Sequence, residues 1–170
     1  DPHRGALQRI CREMSVQVVV LGTGEEWIEA ELLQLQRHLP NLKVKTTFSD
    51  SLAHQIEAGS DLFLMPSRYE PCGLNQIYSL RYGTLPIVRE TGGLADTVEN
   101  YNSQTGEGTG FMFRDLSPES IFRTTEWAVS TWYENPVHFR QMQKRAMNCH
   151  FSWKDSAAHY VDLYEKLLGS

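Results

Sequence analysis

The chain has 170 residues, 41% of them hydrophobic, and a net charge of -5 at neutral pH. That length and apolar content suffice for one buried core, and the acidic balance excludes nucleic-acid binding through a basic stripe. Cys11, Cys72 and Cys149 are odd in number and far apart, with no Cys-x-x-Cys pair. Free thiols in a reducing compartment are therefore expected, rather than a disulfide framework. No charged-then-apolar leader and no apolar run of bilayer length stands out, so the expectation is a soluble globular chain without membrane contact.

In chain order, Ala6, Leu7, Ile10 and Met14 share one face and predict a helix over Pro2–Met14. Val16–Leu21 is β-branched and bounded by Gly22, the pattern of a buried strand. Ile28, Leu32, Leu35 and Leu39 then repeat with helical period until Pro40. Leu42–Phe48 reads as the next strand. Ser49 or Asp50 can cap a helix that carries Leu52 and Ile56 and ends at Gly59. Asp61–Pro66 is an apolar run of strand length, Asn75–Tyr82 a helix through Ile77 and Leu80, and Leu85–Arg89 a strand. Asp96 is expected to cap a short helix, and Asn102–Gly110 to form a flexible loop before a short strand at Phe111–Phe113. Three helices finish the chain: one from Ser117-Pro118 to Trp132, one after Pro136, and one over Ser152–Leu168. Ala157, Val161, Tyr164 and Leu168 are the packing stripe expected of the last, and Trp127, Trp132 and Trp153 fall at core spacing. Stacking on a bound ligand is the other role open to those tryptophans. Short strands alternating with helices imply an α/β fold, a Rossmann-like parallel sheet with helices on both faces.

The polar turn Ser67–Cys72 lies between an expected strand and an expected helix, at the carboxyl end where open parallel sheets bind ligands. Pro71 fixes a backbone angle, and Gly73 carries no side chain to hold a ligand off. Free amides at Gly73, Leu74 and Asn75 would open a helix whose positive end suits a phosphate. From the residues alone, Glu70 reads first as a surface turn residue paired with Arg68. The alternative, beside such an anion site, is that it faces another part of the ligand. Gly22-Thr-Gly24 has a nucleotide turn's place after a strand, but Trp27 stands where a third fingerprint glycine belongs, so spacing alone is weak.

Glu70-Pro-Cys-Gly-Leu74, Tyr82-Gly-Thr-Leu-Pro86 and Thr91-Gly-Gly-Leu-Ala-Asp-Thr-Val98 closely resemble the bacterial glycogen synthases and plant starch synthases. The resemblance runs through Phe151-Ser-Trp153 to the last helix. These are retaining glucosyltransferases of the two-domain GT-B arrangement, and the chain resembles the second domain only. The resemblance implies a domain over 1–170 incomplete at its start, lacking an opening strand and an Arg–Lys pair that hold the donor's pyrophosphate. It implies a final helix, 152–170, that braces the absent first domain.

It further implies Glu70 as the catalytic carboxylate near the transferred sugar. Donor contacts fall to Gly22, Thr23, Gly24, Phe48, Cys72, Gly73, Leu74, Asn75 and Tyr78. Phe48 would stack on adenine, with core packing as the alternative. Tyr78 stands where the wider superfamily carries a second Glu, which tells against a two-carboxylate hydrolase. Cys72 precedes a helix N-terminus, yet no histidine is fixed beside it, so a nucleophilic role is not expected. The six histidines show no metal-ligand spacing and read as surface or capping residues, and Arg81, Arg89 and Glu90 as solvated charges. Neither metal nor cofactor is expected.

The implied reaction is glucosyl transfer from ADP-glucose to the non-reducing end of an α-1,4-glucan, in bacterial cytoplasm or plant plastid stroma. The partners would be those substrates and the first domain of the same protein; the isolated chain is expected to be inactive. A non-catalytic nucleotide-binding module and a UDP-sugar transferase or epimerase of the same fold remain as alternatives. If Phe48 is a platform for a purine, an intact enzyme carrying this domain prefers ADP-glucose to UDP-glucose. Equal kcat/KM for the two donors would refute that role.

Overall fold

The computed structural model describes residues 5–169, and at 155 and 156 the backbone alone. The elements run α1 (Ala6–Glu13), β1 (Val18–Leu21), α2 (Glu26–His38), β2 (Leu42–Lys45), α3 (Asp50–Gly59), β3 (Leu62–Met65) and α4 (Asn75–Tyr82). They continue with β4 (Leu85–Arg89), α5 (Gly92–Thr97), β5 (Phe111–Phe113), α6 (Pro118–Glu134), α7 (Pro136–Met147) and α8 (Trp153–Leu168). The expected beginning of the first helix at Pro2 lies outside the described residues.

Local chemistry sets several of these ends. Ser49 Oγ accepts from the Leu52 N–H at 3.3 Å and caps α3, while Ser117 Oγ accepts from the Ser120 N–H at 3.1 Å and caps α6. Pro118 then occupies the first turn, where no N–H is needed. α4 closes on Gly83, whose φ of 77° a side chain would resist. Both N-terminal strands are shorter than expected. Asn41 Nδ2 donates to the carbonyls of Cys11 and Val16, each at 2.8 Å, so residue 16 is held by a side chain outside the ladder. At the other end, Leu21 pairs with Lys45 and β1 then stops, leaving Thr46–Phe48 without a strand to pair with. Asp96 sits exposed in the last turn of α5 and not at its start, so it caps nothing; Thr91 holds the N-cap position.

All strand pairs are parallel, as the alternation predicted. They form two sheets, β1-β2 and β3-β4-β5, with no pairing between β1 and β3. The larger sheet is covered on both faces. Leu85, Ile87, Phe111 and Phe113 face one way and pack with Leu80 of α4, Ala128 of α6, and Phe139, Met142 and Ala146 of α7. Val88 and Met112 point the other way, against Leu94 of α5 and Val98. That is the period of two expected of strands buried on both sides. The smaller sheet packs Val18, Val20, Leu42 and Val44 on α1 and α2, and leaves Val19, Lys43 and Lys45 exposed.

α1 ties the smaller unit to the larger. The Arg9 guanidinium lies 3.7 Å from the Phe122 ring centroid and pairs with Glu119, and Tyr133 donates its hydroxyl to the Ser15 carbonyl at 2.9 Å. No described helix is long and apolar enough to cross a membrane.

The last helix departs from expectation. Every α8 side chain described is exposed, with Val161 at 52%, Tyr164 at 58% and Leu168 at 84%. Among the described residues the expected Ala157–Leu168 stripe therefore has no core to pack in. Trp153, also expected in a core, is 82% exposed and Trp132 40%, whereas Trp127 does pack, 5.2 Å from Phe111 ring to ring. Deleting residues 153–170 should leave the thermal midpoint nearly unchanged, because removing exposed side chains costs little. A drop of more than about 8 °C, equivalent to roughly 2 kcal/mol or more for a chain of this size, would show that α8 has a packing role in solution.

Candidate active site

β3 ends at Met65 and α4 begins at Asn75, so 66–74 form the turn at the carboxyl end of the strand. Leu74 holds the N-cap position of α4 and has no polar atom to cap with. Among the described residues the amides of Gly73, Leu74 and Asn75 donate to no other group. Three N–H groups are thus left at the positive end of a helix, with Gly73 held at φ 70°. Cys72, Leu74 and Asn75 are exposed, and Glu70 and Gly73 half-buried.

The turn rests on the start of α5. The Gly93 N–H donates to the Glu70 carbonyl at 3.0 Å. A Cβ on Gly92 would come within 2.1 Å of the Glu70 carbonyl oxygen, and one on Gly93 within 2.2 Å of that of Cys72. Only two glycines allow backbones to approach so closely. Behind the turn, Gln76 is fully buried; its Nε2 donates to the carbonyls of Cys72 at 2.9 Å and Gly73 at 3.0 Å, and to Thr97 Oγ1 at 3.2 Å. On the other flank Arg89 donates to the carbonyl of Arg68 and, at 3.1 Å, to that of Arg114. Arg89 is therefore a brace across three strand ends, not the solvated charge the sequence suggested. Glu90, by contrast, pairs with Arg114 at 2.6 Å in the open, and Glu70 forms no ion pair with Arg68.

The remaining sequence-derived residues lie at the ends of β1 and β2 and on α4. Gly22, Thr23 and Gly24 follow β1 and are exposed. The Gly22 N–H continues the ladder to the Lys45 carbonyl at 3.1 Å, and the Gly24 N–H is taken by Glu29 Oε1 at 2.8 Å. An incoming phosphate would meet only the Thr23 amide of this turn unless Glu29 moved aside. Phe48 is 85% exposed, which rules out core packing in this chain and leaves its ring face open. Tyr78 lies edge-on to His54 of α3, 5.1 Å between rings, and lines a hollow of about 300 Å³ with Arg81, His150 and Phe151. Glu70 does not line that hollow. Through His54 and Tyr78, α3 and α4 pack together, so the helix following Phe48 is tied to the helix following Glu70.

The turn thus combines three unfilled amides, a half-buried glutamate and a backing of paired glycines. The profile described as glycosyl transferases group 1 matches residues 5–146. The chain belongs to that family. Among group 1 glycosyl transferases it is 55% identical over 163 residues to a glycogen synthase of Treponema denticola, covering 96% of this chain and 33% of that protein. It is 48% identical over 164 residues to glycogen synthase 1 of Geobacter metallireducens, covering 96% and 32% respectively. The catalytic domain of starch synthase IV from Arabidopsis thaliana, solved with ADP and acarbose, superposes with a TM-score of 0.83 at 29% identity. That match covers 100% of this chain and 37% of that one. The chain thus spans about a third of the length of the curated relatives it matches. The expected kinship and the GT-B-like fold of parallel strands and helices are both upheld.

Sequence reading missed Gln76, Thr97 and Arg89 as part of this assembly. Gln76 carries no signal beyond a polar residue one place before the apolar Ile77. The Gly92-Gly93 pair just after a strand does carry one, since consecutive glycines there mark a close backbone approach. His138, expected at the surface, instead meets the Tyr101 hydroxyl at 2.8 Å in a part-buried contact. Gly93→Ala should destabilise the fold by about 1–3 kcal/mol, the usual cost of overpacking, because the facing atom is backbone. Urea denaturation checks this; an unchanged midpoint would mean that the turn yields freely.

Proposed function

We propose that this chain is the donor-binding domain of a retaining glucosyltransferase, which moves glucose from ADP-glucose to the non-reducing end of an α-1,4-glucan. The observation that carries the reading is the Glu70–Asn75 turn: a carboxylate and an unfilled row of helix-start amides presented together, in a sequence 55% identical to a glycogen synthase. The ADP in the starch synthase IV structure, a likeness at 29% identity, supports the choice of donor.

In this reading the amides of Gly73, Leu74 and Asn75 hold the donor's diphosphate and stabilise the charge that grows on it as the glycosidic bond breaks. One such donor is typically worth about 3 kcal/mol to the transition state. Glu70 faces the sugar, orients it, and balances positive charge at the anomeric carbon. Phe48 offers its exposed face to the adenine, and Tyr78 a hydroxyl near the nucleotide. Cys72, Gly22, Thr23 and Gly24 complete the donor wall, with Glu29 displaced from Gly24. The chemistry asks for no metal or cofactor.

A further part of the same polypeptide completes the site in this reading. A parallel strand between β1 and β3 would join the two sheets in the order β2-β1-new-β3-β4-β5. That is the doubly wound order whose ligand crevice opens where the strand sequence reverses, beside the Glu70 turn. A first domain would supply the acceptor wall, and α8 would brace it with its exposed Tyr160, Leu163 and Leu167. The compartment is bacterial cytoplasm, or plastid stroma in a plant. Alone, with one wall of a cleft and Phe48, Tyr69 and Leu74 uncovered, the chain would bind nucleotide without turnover.

Glu70→Gln in an intact enzyme bearing this domain tests the reading. Turnover should fall by orders of magnitude and ADP affinity change little, because the diphosphate contacts are backbone amides. Surviving turnover with collapsed ADP affinity would make Glu70 structural.

A further inference from the structure

We infer that Gln76 is the positioning residue that sets Glu70 and the neighbouring amides in place, acting through the backbone of the turn and without touching substrate. This rests on the reading of Glu70 as the catalytic carboxylate. Gln76 sits in the first turn of α4 and is fully buried. Its single NH2 group faces three acceptors: the Cys72 carbonyl at 2.9 Å, the Gly73 carbonyl at 3.0 Å and Thr97 Oγ1 at 3.2 Å. Thr97 in turn gives its own proton to the Gly93 carbonyl at 2.6 Å, so its lone pairs are left for Gln76. The Gly93 N–H closes the circuit on the Glu70 carbonyl at 3.0 Å. A side-chain amide therefore links the turn that carries Glu70 to the helix that backs it, from both directions.

Two further observations fix the orientation. With the carboxamide reversed, its oxygen would face two carbonyl oxygens and the lone pairs of Thr97, with no donor among them. In the orientation seen, Gln76 Oε1 is buried with no hydrogen-bond partner. An unpartnered buried acceptor lowers stability, so the side chain is kept for its N–H donors to residues 72 and 73 and not for the fit of its oxygen. The geometry also reserves the neighbouring position: a Cβ on Gly73 would lie 2.4 Å from Oε1. What the amide contributes is a fixed height and tilt of residues 72–73, hence of the Gly73–Asn75 amides and of Glu70 two residues earlier. Misplacing reacting groups by about 1 Å can cost on the order of 100-fold in rate.

The test is a double-mutant cycle on kcat in an intact, glucan-elongating enzyme carrying this domain, with Gln76→Met, Glu70→Gln and the pair, each checked for folding by thermal melting. Gln76→Met should fold normally, lose about 100-fold in kcat and leave the KM for glycogen within about twofold, since the acceptor lies on another wall. On the Glu70→Gln background the loss should be smaller by about tenfold or more, because only the Gly73–Asn75 amides are then left to position. Equal losses on both backgrounds, or a folded Gln76→Met with kcat within about twofold of the parent, overturn the inference while leaving Glu70 as catalytic. A Glu70→Gln enzyme with normal turnover overturns the underlying reading instead. If Gln76→Met does not fold, Thr97→Val decides: it removes one acceptor and the bond to Gly93, and should lower kcat by about tenfold, again masked by Glu70→Gln. A Thr97→Val loss that is absent, or unmasked, overturns the inference as well.

Discussion

Residues 92 and 93 approach residues 70–72 so closely that neither could carry a side chain, and the geometry of the site depends on that contact. The Gly93 N–H meets the Glu70 carbonyl, and the space where two Cβ atoms would stand is filled by the carbonyls of Glu70 and Cys72. Glycine costs backbone entropy on folding, and here two are spent consecutively at the start of a six-residue helix. In return the turn after β3 is referenced directly to β4, whose residues Leu85–Val88 are all buried. The turn thereby becomes part of the sheet end. Arg89 and Gln76 then fix it from either side, both through carbonyl oxygens of the turn.

Satisfying the carbonyls of the turn while leaving its amides open has an electrostatic consequence. Carbonyls of Arg68, Glu70, Cys72 and Gly73 are all engaged on the protein side. The N–H groups of Gly73, Leu74 and Asn75 are left to solvent. The turn thus presents a positive face despite holding a carboxylate, and adds the partial charge of the helix start to it. An anion and Glu70 can then be neighbours without direct repulsion, provided each addresses a different part of one ligand. A nucleoside diphosphate joined to a sugar has that division built in.

Much of this fold was legible because its elements announce themselves locally. The period of α2, the cap of α3, the boundaries of α4 and β4 and the proline at the start of α6 all follow from residues within a turn of each other. Kinship, too, was readable from consecutive motifs around Glu70 and Gly92-Gly93. What could not be read depends on a partner distant in sequence. β1 and β2 are short because Asn41 takes one end and the ladder runs out at the other. The α8 stripe has the right period but stays exposed among the described residues, since period shows that a face is apolar and not what covers it. Gln76 looked like an ordinary polar helix residue. Only the packing of α4 against α5 makes it a fully buried amide with three acceptors. Phe48 reads as core by pattern and as a platform by resemblance; its place beyond the end of the ladder leaves it exposed.

The distribution of exposed apolar side chains carries the reasoning one step further. On β4 and β5 the core residues are sealed, with Leu85, Val88 and Phe111 at 0% exposure. Around the strand ends the opposite holds, with Phe48 at 85%, Tyr69 at 70% and Leu74 at 56%. Fully covering one such side chain is worth about 1.5–3 kcal/mol. On the reading proposed above, that gain is withheld until donor, acceptor and the opposing wall come together, so closure draws on surface the folded domain leaves uncovered. Closure would also exclude water from the anomeric carbon, favouring transfer to a glucan over hydrolysis of the donor. A rigid turn set in an unsealed surface suits that division: the groups that must be aligned are fixed by the fold, and the groups that must be dry are left for the partner surface to cover.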